Sequence, residues 1–422
     1  MSANALFFHH PAAKTYKFND EHPFHPLRAD LTIQLLQAQL ALTKQQIVQP
    51  TLITDDHILT SIHRTEYIQA VQAASDAGQQ IVTPTFIEKY GIGTEDTPPF
   101  PGLHQAALAI VSGSVAAADA VMNGTTQHAY HISGGLHHAF PERAGGFCIY
   151  NDAAIAIAHL KENYGARVLY IDTDVHHGDG VQWAFYDNPD VCTYSIHETG
   201  KFLFPGTGFV YEKGLEQGYG TCFNVPLEPY TEDESWLESF QTTIEAVISF
   251  FQPDIIVSQH GCDAHAFDPL SHLHCSMNIY HAIPAIIHRL AHQYTNGRWV
   301  ALGGGGYDIW RVVPRAWSLV WLEMNDQPIF SGSEASKQQV KQDLLSIDAV
   351  MEQIYQMKDV DFSMQPKLLL PEQWRKLWQP ASPVPLPQYW LDLPQHIGDI
   401  PRRQEITKQN RATQTIAIQD IK

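Results

Sequence analysis

The sequence predicts an α/β fold in which helices cover both faces of a parallel β-sheet. Three observations carry this reading. Short apolar runs have strand length, each ends in a polar or glycine-rich cluster, and the segments between them show helical periodicity. Residues 167–171 (Arg-Val-Leu-Tyr-Ile) run into Asp172-Thr173-Asp174-Val175-His176-His177-Gly178-Asp179-Gly180. Residues 191–196 (Val-Cys-Thr-Tyr-Ser-Ile) precede His197, and 254–258 (Asp-Ile-Ile-Val-Ser) precede Gln259-His260-Gly261-Cys262-Asp263. Residues 298–302 (Arg-Trp-Val-Ala-Leu) precede four glycines and Tyr307. Open α/β sheets hold ligands beyond the carboxyl ends of their strands, so these clusters are where chemistry is expected.

The connecting segments read as helices. Candidates are 27–40, 151–163, 232–249 and 280–293. In the third, Trp236, Phe240, Ile244 and Val247 recur at helical intervals. Thr231-Glu232-Asp233-Glu234 ahead of it has the spacing of a capping box. Beyond residue 335 the pattern weakens. A Gln-rich stretch at 336–360 is a helical candidate, and 379–389 carries repeated prolines. Trp374, Trp378 and Trp390 suggest local docking, and the polar stretch 401–422 is expected to be mobile. The chain thus divides into a main domain, 1–335, and a C-terminal extension, 336–422.

Composition narrows the function. Of 422 residues 44% are hydrophobic, ample for a core and against global disorder. The formal net charge of -19 argues against a nucleic-acid partner, which needs a basic footprint, and makes the surface attractive to cations. The five cysteines form no CxxC pair, and their odd number suits a reducing compartment. The N-terminus lacks a cationic stretch followed by an apolar one, and no uninterrupted apolar run approaches ~18 residues. A cytoplasmic protein with no membrane partner is expected. Gly303–Gly306 is not followed by Lys-Ser/Thr, which argues against a phosphate loop.

Asp174, His176 and Asp263 are the candidate metal ligands. Asp174 and His176 are two apart and share a side in extended backbone, while Asp263 arrives from a separate strand end. Two carboxylates and a neutral imidazole neutralise a divalent cation and leave room for water and a carbonyl oxygen. His137 and His138 follow Ser133-Gly134-Gly135-Leu136. Either one histidine serves as proton acceptor and donor, or the two divide the work; Asp172 and Asp179 are available to fix their tautomers. Tyr307, on the glycine loop, has a phenol suited to stabilising an oxyanion. Phe147 and Phe204 sit in glycine-containing loops and are candidates for the walls of a narrow apolar channel, suited to an aliphatic chain ending in an amide.

With these blocks in view, the sequence resembles the arginase-like, zinc-dependent histone deacetylase family, most closely its bacterial acetoin-utilisation members. The resemblance spans Lys17 to about Trp317 and includes Gly91-Ile92-Gly93-Thr94-Glu95-Asp96, 133–152, 172–180, 202–208, 261–263 and 303–307, in order. It implies one domain around an eight-stranded parallel sheet, with the metal at the strand C-terminal ends. It implies zinc on Asp174, His176 and Asp263, with iron(II) able to occupy the same ligands. His137 with Asp172 and His138 with Asp179 become the tandem catalytic histidines, His138 the main general base. Tyr307 becomes the carbonyl-polarising tyrosine. Phe147 and Phe204 become tunnel walls, with Leu270 near the mouth and Asp96 on the rim. Arg28, Gly305 and Gly306 line an inner cavity. A structural potassium ion is implied at Asp172, Asp174, His176, Ser195 and the backbone of Ile196.

The activity so implied is hydrolysis of N-acetyl-lysine in proteins, with acetyl-coenzyme A synthetase as the partner implied for the subfamily. The alternatives are a deacetylase of small acetylated amines such as polyamines, and a non-catalytic acetyl-lysine-binding protein. An altered Tyr307 or His138 would favour the latter, and both residues are present.

Overall fold

The computed structural model describes residues 5–38, 41–326 and 400–417. Its strands are β1 (Leu6–Phe8), β2 (Ile47–Val48), β3 (His128–His131), β4 (Val168–Asp172), β5 (Val191–Glu198), β6 (Cys222–Leu227), β7 (Ile255–Gln259) and β8 (Trp299–Leu302). They form one eight-stranded sheet in the order β2-β1-β3-β8-β7-β4-β5-β6, parallel at every pairing.

The continuous apolar runs exist because both faces of this sheet are covered. All five residues of β4 are buried. Its Val168 and Tyr170 join a cluster with α4 (Leu103–Met122) and α5 (Asp152–Tyr164). Leu169 and Ile171 point the other way, into a larger cluster. That second layer contains α1 (Leu27–Ala38), α7 (Asp233–Phe251), α8 (Met277–Tyr294) and α9 (Val313–Met324), while α2 (Thr65–Ala77), α3 (Pro84–Tyr90) and α6 (Asp179–Ala184) fall between these helices in the chain. The α4 helix is long and apolar enough to cross a membrane by composition, with a mean hydropathy of 1.5, but 78% of that window is buried inside the fold. It is a core helix.

The predicted helices lie close to their sequence positions, and one cap is corrected. Thr231 does not cap α7: its hydroxyl donates to the Glu228 carbonyl at 2.6 Å. Glu232 takes the cap position, where its side chain makes no capping hydrogen bond. Asp233 instead turns outward from its own helix and accepts the Ser276 N–H at 2.6 Å, so the segment before α7 serves the start of α8.

Where the polar composition of the chain end suggests mobility, residues Ile400–Ala417 form a helix, α10, packed on α7 and β6. Ile406 and Ala417 are buried on it, and polar residues supply specific contacts. Buried Asn410 donates to Thr231 Oγ1 at 2.9 Å and Ser235 Oγ at 3.0 Å, and accepts the Glu228 N–H at 3.1 Å. Gln414 donates to Ser239 at 2.7 Å. Low hydrophobicity misleads here because much of the docking runs through hydrogen bonds beside a few apolar contacts. The candidate helix 336–360, the prolines of 379–389 and the three tryptophans lie outside the described residues. Asn410→Ala leaves the Glu228 N–H without a partner, a loss of about 1–3 kcal/mol. Limited proteolysis should then cut within 400–417 faster than in the wild type; equal rates would contradict the docking.

Candidate active site

The site forms where β3, β8, β7 and β4 run out side by side. The loop after β3 brings His137 and His138, held from below by the start of α5. Asn151 donates to the carbonyls of His137 at 3.2 Å and Ala139 at 3.0 Å. The Asp152 carboxylate accepts the N–H groups of Gly135 at 3.0 Å and Leu136 at 2.7 Å. Both imidazoles are thereby fixed in backbone and in tautomer. His137 Nδ1 lies 2.8 Å from Asp172 Oδ2, and His138 Nδ1 lies 2.7 Å from Asp179 Oδ1. A carboxylate can only accept, so each Nδ1 carries the proton and each Nε2 faces the site.

Asp174, His176 and Asp263 converge beside them, their ligand atoms all within 4.8 Å of one another. His176 Nδ1 is 3.1 Å from Asp174 Oδ1 and 3.2 Å from Asp263 Oδ2. The extended-backbone argument for Asp174 and His176 is corrected: β4 ends at Asp172, and a bend folds His176 back so that its N–H also donates to Asp174 Oδ1 at 3.0 Å. The second carboxylate oxygens are occupied by the scaffold. Asp174 Oδ2 accepts from Gln259 Nε2 and the Gly305 N–H, each at 2.7 Å, and Asp263 Oδ1 accepts from the Val175 N–H at 2.9 Å. What faces the shared point is Asp174 Oδ1, Asp263 Oδ2 and His176 Nδ1.

The electrostatics fit a cation there. Burial raises the Asp263 carboxyl, and facing Asp174 raises it further, to about 6. Burial alone would lower His176, but its bonds to Asp174 and Asp263 hold it well above the usual imidazole range. Without an ion, a proton on His176 is what separates the two acids. A divalent ion suits these donors better, since two carboxylates and an imidazole match its charge and its ligand preference.

The two catalytic candidates diverge. Burial works against protonating His137, but Asp172 and Asp174 overcome it and raise it to about 9. Burial lowers His138, and the neighbouring imidazoles of His137 and His176 push it down further, well below the ordinary value. Their rings are 4.0 Å apart, so one favours the cation and the other stays neutral. Tyr307 is held protonated by burial near Asp263 and Asp174.

The remaining sequence candidates fall around this centre. Phe204 stands edge-on to His138 at 5.0 Å, and Phe147 edge-on to Tyr307 at 5.6 Å. Phe147 holds φ +66°, a left-handed conformation uncommon for an aromatic residue. Beside it Gly146 passes so close to His138 that a Cβ would sit 2.3 Å from the ring. Leu270 lies on the loop whose Asp268 accepts the Tyr307 N–H at 2.7 Å, and exposed Asp96 lies on the loop beyond His22. Arg28 is buried and donates to the carbonyls of Gly304 at 3.0 Å and Gly306 at 2.9 Å. A Cβ on Gly305 would meet Asp263 Oδ2 at 2.0 Å, so only glycine lets this strand end reach the acids. Ser195 pairs with Asp172 in the β4–β5 ladder. Its oxygen is 2.8 Å from His197 Nδ1, whose other nitrogen is 2.9 Å from the Gly208 carbonyl. Ser195 therefore donates to His197 and keeps lone pairs for a cation beside Ile196.

Sequence reasoning missed Gln259, Tyr170 and Asp268. Tyr170 had a signal: it is two residues before Asp172, on the same strand face, and its hydroxyl donates to Asp172 at 2.8 Å. Gln259 and Asp268 reach partners far along the chain, which no local pattern announces.

Strand-end carboxylates and imidazoles on a fully parallel α/β sheet define a metal-hydrolase type of centre. The histone deacetylase domain matches residues 22–324, and the chain belongs to the histone deacetylase family. It is 47% identical over 419 residues to the acetoin utilization protein AcuC of Bacillus subtilis (strain 168), covering 99% of this chain and 98% of that one. AcuC of Staphylococcus xylosus is 45% identical over 395 residues, covering 94% and 92%. Among solved structures, an HDAC homolog from Aquifex aeolicus superposes with a TM-score of 0.76 at 26% identity, over 97% of this chain and 99% of that one. An HDAC homolog complexed with SAHA gives 0.70 at 30% identity, over 80% and 88%. The protein is thus an AcuC-like member of a metal-dependent deacetylase family.

Two outcomes test the centre. Metal must displace the His176 proton, so affinity should fall about tenfold per pH unit below the raised His176 pKa, with proton release on binding. Calorimetry in buffers of different ionisation heat measures this, and binding without proton release would contradict it. Gln259→Leu, which strips one donor from Asp174, should weaken metal affinity about 10–100-fold in chelator competition; unchanged affinity would rule out the supporting role.

Proposed function

We propose that the protein hydrolyses the acetyl-lysine side chain of a protein or peptide to lysine and acetate, with zinc at Asp174, His176 and Asp263. The observation that carries the proposal is the pair of carboxylate-anchored histidines, His137 on Asp172 at 2.8 Å and His138 on Asp179 at 2.7 Å, set beside the acid–imidazole cluster. Iron(II) fits the same donors. Potassium is assigned to Asp172, Asp174, His176, Ser195 and Ile196, supported by the free lone pairs on Ser195 and by the buried charge of Asp172 beside it.

A bound divalent ion supplies Lewis acidity to the acetyl carbonyl and lowers the pKa of the attacking water. The chain supplies the rest. His138, neutral, takes the water proton at Nε2. His137, cationic on Asp172, opposes the negative charge that builds on the acyl group. The Tyr307 phenol donates to the developing oxyanion. His138 then returns its proton to the departing lysine amine. Phe147 and Phe204 flank an uncharged aliphatic arm and exclude water from it, and Arg28 is placed to meet acetate behind the glycine loop. Asp96 accepts from the peptide backbone at the rim, and Leu270 borders the mouth.

We assign catalysis to residues 1–335, with 336–422 as an extension, and place the protein in the cytoplasm, acting on acetyl-coenzyme A synthetase or a related acetylated protein. A small acetylated polyamine is the second reading: the exposed Asp96 carboxylate and the net charge of -19 would also attract an ammonium group. Kinetics on an acetyl-lysine peptide and an acetylpolyamine separate the two, and a kcat/KM favouring the polyamine would overturn the first. Tyr307→Phe should lower kcat by about 10²–10³ with metal content unchanged. Near-full activity of that variant would remove Tyr307 from the mechanism.

A further inference from the structure

Three imidazoles converge at the end of the sheet opposite the catalytic centre. His128 opens β3, while His288 and His292 stand one turn apart on α8. His288 Nε2 is 3.1 Å from His128 Nε2 and 3.0 Å from His292 Nε2. The rings do not stack. They cross at 86°, 84° and 60°, so that edges rather than faces meet.

Proton counting argues against a simple hydrogen-bonded cluster. Glu323 Oε1, on α9, lies 3.0 Å from His288 Nδ1. A carboxylate only accepts, so the neutral His288 ring carries its proton on Nδ1 and a lone pair on Nε2. His128 and His292 would then both have to donate into that single lone pair. Three lone pairs aimed at one point, with a carboxylate fixing one tautomer, are the donor set of a metal held by three histidines. Two of the ligands are buried and His292 is exposed, which leaves an entry path and an open coordination position.

We propose that His128, His288 and His292 bind a second divalent transition-metal ion, of the zinc, copper and nickel class that imidazole prefers, positioned by Glu323. This site is separate from the catalytic one. His128 and His131 bound a four-residue strand spanning about 10 Å, and the loop carrying His137 begins only beyond it. Bound metal clamps the start of β3 to the end of α8, and through Glu323 to α9, so it stabilises the fold rather than performing the hydrolysis.

The test is zinc stoichiometry on the untagged, full-length apoprotein, by equilibrium dialysis and elemental analysis. The wild type should hold two equivalents. His292→Ala, an exposed position whose loss leaves the core packing intact, should hold one, as should Asp263→Asn at the other site. The double variant should hold none. Glu323→Gln should retain the second equivalent with affinity reduced about 10–100-fold. Zinc should raise the melting temperature of Asp263→Asn but not that of the double variant. A second equivalent that survives His292→Ala overturns the proposal, as does a wild type whose only equivalent is the one Asp263→Asn removes. A wild type whose single equivalent is removed by His292→Ala and survives Asp263→Asn would instead count against the catalytic centre.

Discussion

Two carboxylates, Asp174 and Asp263, face each other while both are buried in the protein. Like charges buried at this range are costly unless something positive lies between them. The surrounding structure answers that demand. Adjacent strands β4 and β7 deliver the two acids, their pairing setting the separation of the loops that carry them. Gln259, Gly305 and Val175 satisfy the outward oxygens, so each acid keeps one oxygen for the shared point. His176 completes the set. The result is a candidate socket for one divalent cation, its acids held by the Gln259 side chain and by the N–H groups of Gly305 and Val175.

The same charges sort the histidines. His137 and His138 are adjacent, equally buried and each paired with an aspartate, yet burial and neighbours drive them to opposite protonation states. His137 lies closer to the acids and takes up the positive charge. That charge is then the reason His138 stays neutral. In the proposed mechanism one residue of sequence thus separates an electrostatic partner from a base, through position in the field of Asp172 and Asp174.

The sheet was legible where strands are long and covered on both faces. β4, β5, β7 and β8 read as apolar runs, and their ends carried the site residues. β3 was not legible: His-Ala-Tyr-His has no apolar run, and its burial comes from β1, β8 and α4 packed around it. β1 and β2 are too short to show a pattern. The family resemblance supplied the strand number that periodicity alone did not. The ligand candidates were readable from residue type and strand-end position, but not the bend that closes Asp174 on His176. Residues acting through distant partners, such as Gln259 on Asp174 and Asp268 on Tyr307, needed the fold. So did the convergence of His128 with His288 and His292, separated by 160 residues between the first two.

The most direct measurement is anomalous diffraction at the zinc absorption edge from crystals of zinc-reconstituted protein. The account predicts a strong peak bounded by Asp174, His176 Nδ1 and Asp263, with all three within bonding distance. Full zinc loading with no density between those side chains would contradict it.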